Sequence, residues 1–352
     1  MQIEWLVPLV LLSFQRMGFL LNFFLGPAML GVWASVSILK LRGKIQAARY
    51  LLLTLLLVPT ALLWMWSRIR QQRRVDSTQK RFGSKTSPSA LTDVDIIRMR
   101  SSWRHYDASR DLSPDERREI EGLLADDGAM TGPFGLRVRI LLVSKAQADG
   151  KLGTYGVVTG ARDFLVGKVA DRGVPSDYAD FGYVFERVVL RCTRVFIVSP
   201  VGHVPQERGA FDTYMRAAAG SSSRLAWPRI FFRQPAPAQA LAPIASEAEA
   251  EGLAVPLSCV RTAPSASNKQ PWRVVVHAAR PAVVSFWRGP AYPMGGEMIT
   301  NLGHNDLGIA MCHFEAACGA QGMRGGWERA APEGAVPPEG ALGHVATWRQ
   351  RL

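Results

Sequence analysis

The chain has 352 residues, 48% of them hydrophobic and 20% charged, with a formal net charge of +13. That length suffices for a membrane segment plus one large or two small domains. The first 80 residues hold ten Lys/Arg against two acidic residues, or +8, which leaves +5 for the remainder. Cations that flank apolar runs are typical of membrane segments meeting anionic lipid, so the charge indicates membrane lipid and no nucleic-acid partner.

Residues 1–70 are predicted to form a membrane region. Met17–Leu39 carries no charge and Ala47–Trp66 only one, and each is long enough for a hydrocarbon core that needs about 20 residues. Buried helices of a soluble core are the alternative, and the flanking cations favour the membrane. Four cations lie in the connecting loop and four follow the second run, so the two sides of the membrane would carry equal positive charge and the orientation stays open. Residues 71–92 are polar and predict a flexible linker.

The next stretch, Ile96–Tyr106, combines an apolar pair with a turn that holds Arg98, Arg100, Arg104 and two serines. Guanidinium groups and hydroxyls are the groups that hold a phosphate. A solvated basic helix end is the simpler interpretation of the same residues.

Regular elements follow along the chain. Ser-Pro-Asp-Glu is a capping box that predicts a helix over Pro114–Ala125, and Leu136–Ser144 reads as a strand. Two amphipathic segments predict long core helices, Asp177–Val195 and about Asp306–Gly319. Residues 331–352 are rich in Gly and Pro at their start and predict a loose C-terminal tail.

A polar loop, Ala263–Arg273 (APSASNKQPWR), precedes the apolar strand Trp272–His277, which is expected to pair with Ala282–Arg288. Such a loop can present backbone N–H groups and carboxamides to a planar polar ligand, and an Asn carboxamide offers one acceptor and two donors. That set suits the edge of a flavin ring. An ordinary loop before a strand is the alternative on composition alone.

APSASNKQPWR resembles the flavin-holding loop of the FMN-dependent nitroreductase family. Together with LGIAMCHFE, Leu307–Glu315, it is similar to the internally duplicated branch labelled "putative TM nitroreductase". The resemblance runs from about Asp95 to Trp327. It implies three groups of cofactor-binding residues. They are Arg100, Ser102 and Arg104 for the FMN phosphate, Ser265, Asn268 and Gln270 for the ring edge or ribityl chain, and Tyr155 and Gly156 in GTYGVVTGA near the flavin.

The implied fold class is α+β, a nitroreductase-like arrangement of sheet and helices over residues 93–330, with two similar halves at about 93–200 and 255–330. Asp180-Phe-Gly-Tyr aligns with Asp306-Leu-Gly-Ile at the starts of the two long helices, in agreement with a duplication. Two such halves would make the flavin domain monomeric. One departure is clear: a Gly-rich stretch that normally follows the first long helix in this branch is absent after Arg194.

The chain has no C-x-x-C pair among its four cysteines and no H-E-x-x-H or Ser/His/Asp arrangement. We therefore expect buried thiols, no metal site and no catalytic side chain. The resemblance implies a membrane-anchored FMN oxidoreductase that takes electrons from NAD(P)H and passes them to a small-molecule electron acceptor such as a nitroaromatic or a quinone. The alternative is a non-catalytic relative that keeps the fold and has lost part of the flavin site.

Overall fold

The computed structural model describes residues 66–67, 69–70, 91–144, 158–168, 172, 174–195, 201–205, 208–290 and 297–351. Over these residues the protein mixes helices with an antiparallel-rich sheet, so the predicted α+β class is confirmed. The predicted hairpin and nearly all of the linker lie outside the described residues. Within the described ranges, no helix combines the length and apolar character that crossing a bilayer requires.

The sheet that carries most of the fold has six strands in the order β4-β3-β5-β6-β8-β7, and β1 and β2 form a separate antiparallel pair. The predicted pairing of the two strands after the polar loop is confirmed, with Val274 opposite Phe286. The strands are β1 Arg139–Ser144, β2 Asp163–Lys168, β3 Phe231–Arg233, β4 Ala242–Pro243, β5 Trp272–Ala279, β6 Ala282–Arg288, β7 Gly325–Glu328 and β8 Gly343–Gln350.

The helices begin where the sequence supplies caps. Thr92 and Ser113 each accept a bond from the backbone N–H three residues on, and the acidic residue there bonds back, which completes two capping boxes. The predicted helix over residues 114–125 is confirmed at both ends. The helices are α1 Asp93–Met99, α2 Pro114–Ala125, α3 Pro175–Val195, α4 Ala210–Ala218, α5 Ala254–Thr262 and α6 Glu297–Ala320.

The two long helices, α3 and α6, pack against each other at two glycines. A Cβ on Gly308 would lie 1.9 Å from the Ala179 carbonyl oxygen, and one on Gly182 would lie 2.0 Å from the Asn305 carbonyl oxygen. Any side chain there would force the backbones apart. The glycines therefore set the close contact of the helices that form the centre of the core.

The prediction of a loose tail over residues 331–352 is wrong, because this segment contains strand β8. Strand β8 lies inside the sheet, between β6 and β7. Ala346, Thr347 and Trp348 are consecutive in it and all fully buried. The strand was missed because its start is rich in Gly and Pro and because a strand covered on both faces has no alternation of polar and apolar residues to reveal it.

Each long helix also holds a loop through the Asp near its start. Asp180 accepts bonds from the N–H groups of Phe134 and Leu136, both at 2.9 Å. Asp306 accepts from the N–H of Ala266 at 3.1 Å. In both regions a helix, a loop held by Asp, a β-hairpin and a long helix follow one another. This order is compatible with the predicted duplication, which stays a prediction.

Candidate functional site

The turn that follows α1 is pinned in place by a neighbouring loop. The N–H of Tyr106 donates to the Thr159 carbonyl at 2.9 Å, and the N–H of Thr159 donates to the Arg104 carbonyl at 2.8 Å. Gly160 adopts a φ of 79°, and a Cβ there would lie 2.0 Å from the Tyr106 carbonyl oxygen. Only glycine allows this approach, so the loop fixes the turn from one side.

Helix α4 holds the same turn from the other side through a buried carboxylate. Asp212 is 1% exposed, and its two oxygens accept from Arg104 Nη1 at 3.1 Å and from Arg208 Nη1 at 2.6 Å. Burial, followed by the nearby Asp212 carboxylate, raises the pKa of Tyr106, which keeps its hydroxyl neutral.

Further guanidinium bonds converge on the two serines of the turn. Arg208 donates to the Ser101 hydroxyl at 3.0 Å and to the Ser102 carbonyl at 2.7 Å. Arg216, one turn further along α4 from Asp212, donates to the same carbonyl at 3.2 Å. The Arg208 guanidinium also lies 3.8 Å from the centre of the Trp103 ring. Two of the three predicted phosphate residues, Ser102 and Arg104, thus lie in one basic cluster.

Arg100, the third of them, points away from that cluster and into the core. Its Nε lies 3.5 Å from Glu186 Oε1 on α3, and both side chains are less than 9% exposed. The same carboxylate oxygen lies 2.8 Å from Nε2 of the fully buried His313, whose Nδ1 faces the Cys259 carbonyl at 3.1 Å. Arg100 therefore belongs to a buried group on α3 and α6.

The polar loop between α5 and β5 is strained. Ser267, Asn268 and Gln270 have φ values of 50°, 55° and 52°, a conformation that non-glycine residues adopt at an energetic cost. The bonds of the loop maintain it: Ser265 Oγ accepts from the Gln270 N–H at 2.9 Å, and Asp306 holds the Ala266 N–H.

The two carboxamides of this loop are occupied by the segment that follows α4. Asn268 Nδ2 donates to the carbonyls of Gly220 at 2.7 Å and Ser223 at 3.0 Å. Gln270 Oε1 accepts from the Leu225 N–H at 2.9 Å, and its Nε2 donates to the Asn268 carbonyl at 3.2 Å. Each bond tightens the loop against the protein itself.

Arg224 holds the loop against the segment that follows α4 and the end of α5. It donates to Asn268 Oδ1 at 3.2 Å and to three backbone carbonyls, those of Ser221, Ser223 and Thr262. Burial, then the guanidiniums of Arg100 and Arg261, lower its pKa to about 10. Among the described residues these bonds join Arg224 to neutral groups alone. A half-buried cation whose described partners are all neutral is suited to bind an anion.

An apolar cavity of about 480 Å³ opens beside α3 and α6. Its lining includes Phe181 and Phe185, whose ring centres are 5.7 Å apart. Glu186 also reaches this cavity, so the buried group around Arg100 forms part of its wall.

Comparison with known proteins assigns the chain to a family. A sequence model described as "Putative TM nitroreductase" matches residues 94–318, well over half of the chain. The chain belongs to this family. A structural match is found to a protein described as a "putative nitroreductase" from Thermotoga maritima, at 14% identity and a TM-score of 0.44, covering 74% of this chain and 93% of that one. The comparison with curated proteins gives no match.

Family membership confirms the resemblance carried by the two motifs. The contacts of this nitroreductase-family chain can therefore be compared with what a flavin requires. The basic groups suit a phosphate: the turn gathers the guanidiniums of Arg104, Arg208 and Arg216, and beside the loop Arg224 Nε is buried with no hydrogen-bond partner among the described residues. The loop suits a ring less well, because Asn268 and Gln270 would have to exchange existing bonds for new ones.

The structure thus places the six described cofactor residues in different surroundings. Ser102 and Arg104 lie in the turn beside α4, Ser265, Asn268 and Gln270 lie in the loop beside residues 220–225, and Arg100 turns into the core. Tyr155 and Gly156 lie outside the described residues. Sequence reasoning missed Arg208, Arg216 and Arg224, which lie just before α4, in α4 and in the segment after it. Their basic charge was the only local signal, and it could not show that residues over 100 positions from the turn contact it.

Proposed function

We propose that this chain is a flavin-dependent oxidoreductase of the nitroreductase type, with FMN as its cofactor. The observation that carries the proposal is Arg224. This half-buried cation bonds to the second family motif, the guanidiniums of Arg100 and Arg261 lower its pKa, and its described partners are neutral. A phosphate dianion would relieve that cost, since charge-assisted bonds to phosphate are roughly twice as strong as neutral ones.

In this proposal the residues bind and orient, and the cofactor supplies the hydride chemistry when bound. Arg104 and Arg224 would hold the phosphate, with Arg208 and Arg216 bracing the turn. Asp212 keeps Arg104 and Arg208 in place, because its carboxylate bonds both. The strained loop, held by Ser265 and Asp306, would keep the ring edge of the ligand against a rigid surface.

The rest of the proposal follows the family. NAD(P)H is the proposed reductant, and a nitroaromatic, a quinone or a similar small molecule is the acceptor. Residues 17–39 and 47–66 would anchor the chain in a membrane, where their flanking cations meet anionic lipid. Internal duplication would let one chain supply both halves of the flavin site, so the flavin domain would be monomeric.

The experiment is a flavin titration of the purified full chain, followed by an activity assay. The expected result is a protein that binds FMN and oxidises NAD(P)H when menadione or nitrofurazone is present. A chain that binds no FMN at any concentration would contradict the proposal. Heat-denatured protein is the control for flavin that adheres without a site.

A second candidate, a non-catalytic relative, is favoured by one observation. The donors of Asn268 and Gln270 already bond to backbone carbonyls of residues 220–225 and of the loop itself. A protein whose loop closes on itself can keep the phosphate site and lose the ring geometry. A protein that binds FMN and does not oxidise NAD(P)H with any acceptor tested would favour this candidate over the first.

A further inference from the structure

Positive charge collects at one end of the six-stranded sheet, where β3 and β5 begin and β6 ends. Arg229 precedes β3 and Lys269 precedes β5; both are exposed, and neither forms an ion pair among the described residues. Arg288 is the last residue of β6 and lies opposite Trp272, the first residue of β5. The three segments that meet here contain no acidic residue, and they are 226–230, 263–273 and 286–290.

A fourth cation lies behind this end of the sheet. Arg273 is 9% exposed, and its Nη1 donates to the carbonyls of Gln270 at 3.4 Å and Trp272 at 2.7 Å. Burial, followed by the charge of Arg229, lowers the pKa of Arg273. The two guanidiniums therefore repel each other, and negative charge held against this end would stabilise both.

Two exposed leucines flank Arg288 at the same end. Leu342 is 56% exposed, and its N–H donates to the Arg288 carbonyl at 2.7 Å. Leu302 is 38% exposed, and it precedes Gly303, where a Cβ would lie 3.5 Å from Arg288 Cδ. These leucines are two of the five large apolar side chains that are exposed among the described residues. Together the cations and leucines form a surface that we call the basic end of the sheet, made of Arg229, Lys269, Arg288, Leu302 and Leu342.

Cations beside exposed leucines match the chemistry of an anionic bilayer surface. Anionic headgroups attract Lys and Arg, and leucines enter the boundary between headgroups and acyl chains. A nucleic acid would use the charges and leave the leucines in water. We propose that the basic end of the sheet contacts an anionic lipid surface, with Leu302 and Leu342 at the headgroup boundary. This contact is additional to the proposed membrane anchor, and it does not require the proposed flavin function.

The test places a fluorescent label at the basic end of the sheet. All four cysteines of the chain are buried, so a cysteine introduced by Leu342→Cys can be labelled selectively with an NBD dye. The full chain is reconstituted in phosphatidylcholine vesicles with and without phosphatidylserine, and lipids that carry a nitroxide are the quencher. Gln321→Cys is the control, because Gln321 is exposed just beyond the far end of α6, roughly 28 Å along the helix from Leu302.

With phosphatidylserine present, we expect lipid quenching at position 342 to exceed that at position 321 by about twofold or more. A label introduced by Leu302→Cys should behave like the label at 342. The double variant Arg229→Gln, Lys269→Gln removes two exposed charges, so it should weaken the contact about tenfold or more. Equal quenching at 342 and 321, or quenching at 342 that changes neither with phosphatidylserine nor in the double variant, would overturn the proposal.

Flotation with vesicles of phosphatidylcholine alone tests the proposed anchor separately, because these vesicles carry no net charge. A chain that floats with them and shows no quenching at 342 when phosphatidylserine is added would contradict the lipid contact and leave the anchor standing. A chain that floats only with phosphatidylserine, with quenching at 342, would support the lipid contact and contradict the anchor. No flavin is added, so each outcome is independent of FMN binding.

Discussion

The turn after α1 and the loop before β5 carry the two family motifs, and they are built in opposite ways. The turn gathers charged donors from distant elements onto Ser101, Ser102 and Asp212. The loop gathers neutral bonds, and its carboxamides are used on backbone groups of the protein itself. One region concentrates positive charge, and the other concentrates backbone strain.

The difference shows which property each motif contributes. A cluster of guanidiniums costs free energy when it is buried and recovers it when an anion binds. A loop with three positive φ values gains nothing from an anion and depends on its own hydrogen bonds to persist. We infer that the turn supplies ligand affinity and that the loop, to which Arg224 bonds, supplies rigid shape.

The largest expected effect comes from the loop. Asn268→Gly keeps the positive φ accessible and removes the side chain, so it breaks two bonds to carbonyls, one from Arg224 and a longer one from Gln270. We expect the free energy of unfolding to fall by about 3 kcal/mol. Asn268→Ala should lower the free energy of unfolding by about 1 kcal/mol more, because the left-handed conformation is less favourable for alanine than for glycine.

Urea unfolding followed by circular dichroism measures both variants. Gln321→Ala is the matched control, since Gln321 is an exposed carboxamide beyond the end of α6. A loss below about 1 kcal/mol for Asn268→Gly would mean that the carboxamide is not structural. It would then be available to a ligand, and the contrast between the two regions would fail.

The next effect belongs to the turn. Arg104→Ala removes a proposed phosphate contact, and a hydrogen bond to a charged group is worth about 1.5–3 kcal/mol. We expect FMN affinity to fall roughly tenfold to a hundredfold, measured by quenching of flavin fluorescence. Arg118→Ala is the control, because that arginine pairs with Asp115 on the exposed face of α2. Equal FMN affinity in Arg104→Ala and the unaltered chain would remove the turn from the site.

Much of the fold was predictable from local patterns. The capping box at Ser113 fixed α2, and the β-branched run after Pro271 predicted β5 and its pairing with β6. Strand β8 was missed because Gly and Pro dominate the residues before it, although Trp348 is at the centre of the sheet.

The candidate site was predictable only in part. Arg100, Ser102 and Arg104 lie two residues apart along the chain. The sequence could not show that Arg100 alone turns into the core toward Glu186. Arg224 lies far from both motifs in the chain, so its role depends on tertiary contacts that no local pattern records.

The smallest expected effect is stabilisation by a simple anion. If Arg224 lacks a counter-charge, inorganic phosphate should bind near it and raise the free energy of unfolding by about 1 kcal/mol at a few times its dissociation constant. Arg224→Met should lose that increment while remaining folded. Sodium chloride at equal ionic strength is the control for general screening. An equal phosphate effect in both proteins would show that the anion binds elsewhere.

The most direct measurement compares FMN with riboflavin, which differs only in lacking the phosphate. We predict that the full chain binds FMN at least tenfold more tightly than riboflavin, and that Arg224→Met brings the two affinities within about threefold of each other, as expected when a charge-assisted bond is removed. Equal affinities for FMN and riboflavin in the unaltered chain, or a preference that survives in Arg224→Met, would contradict it.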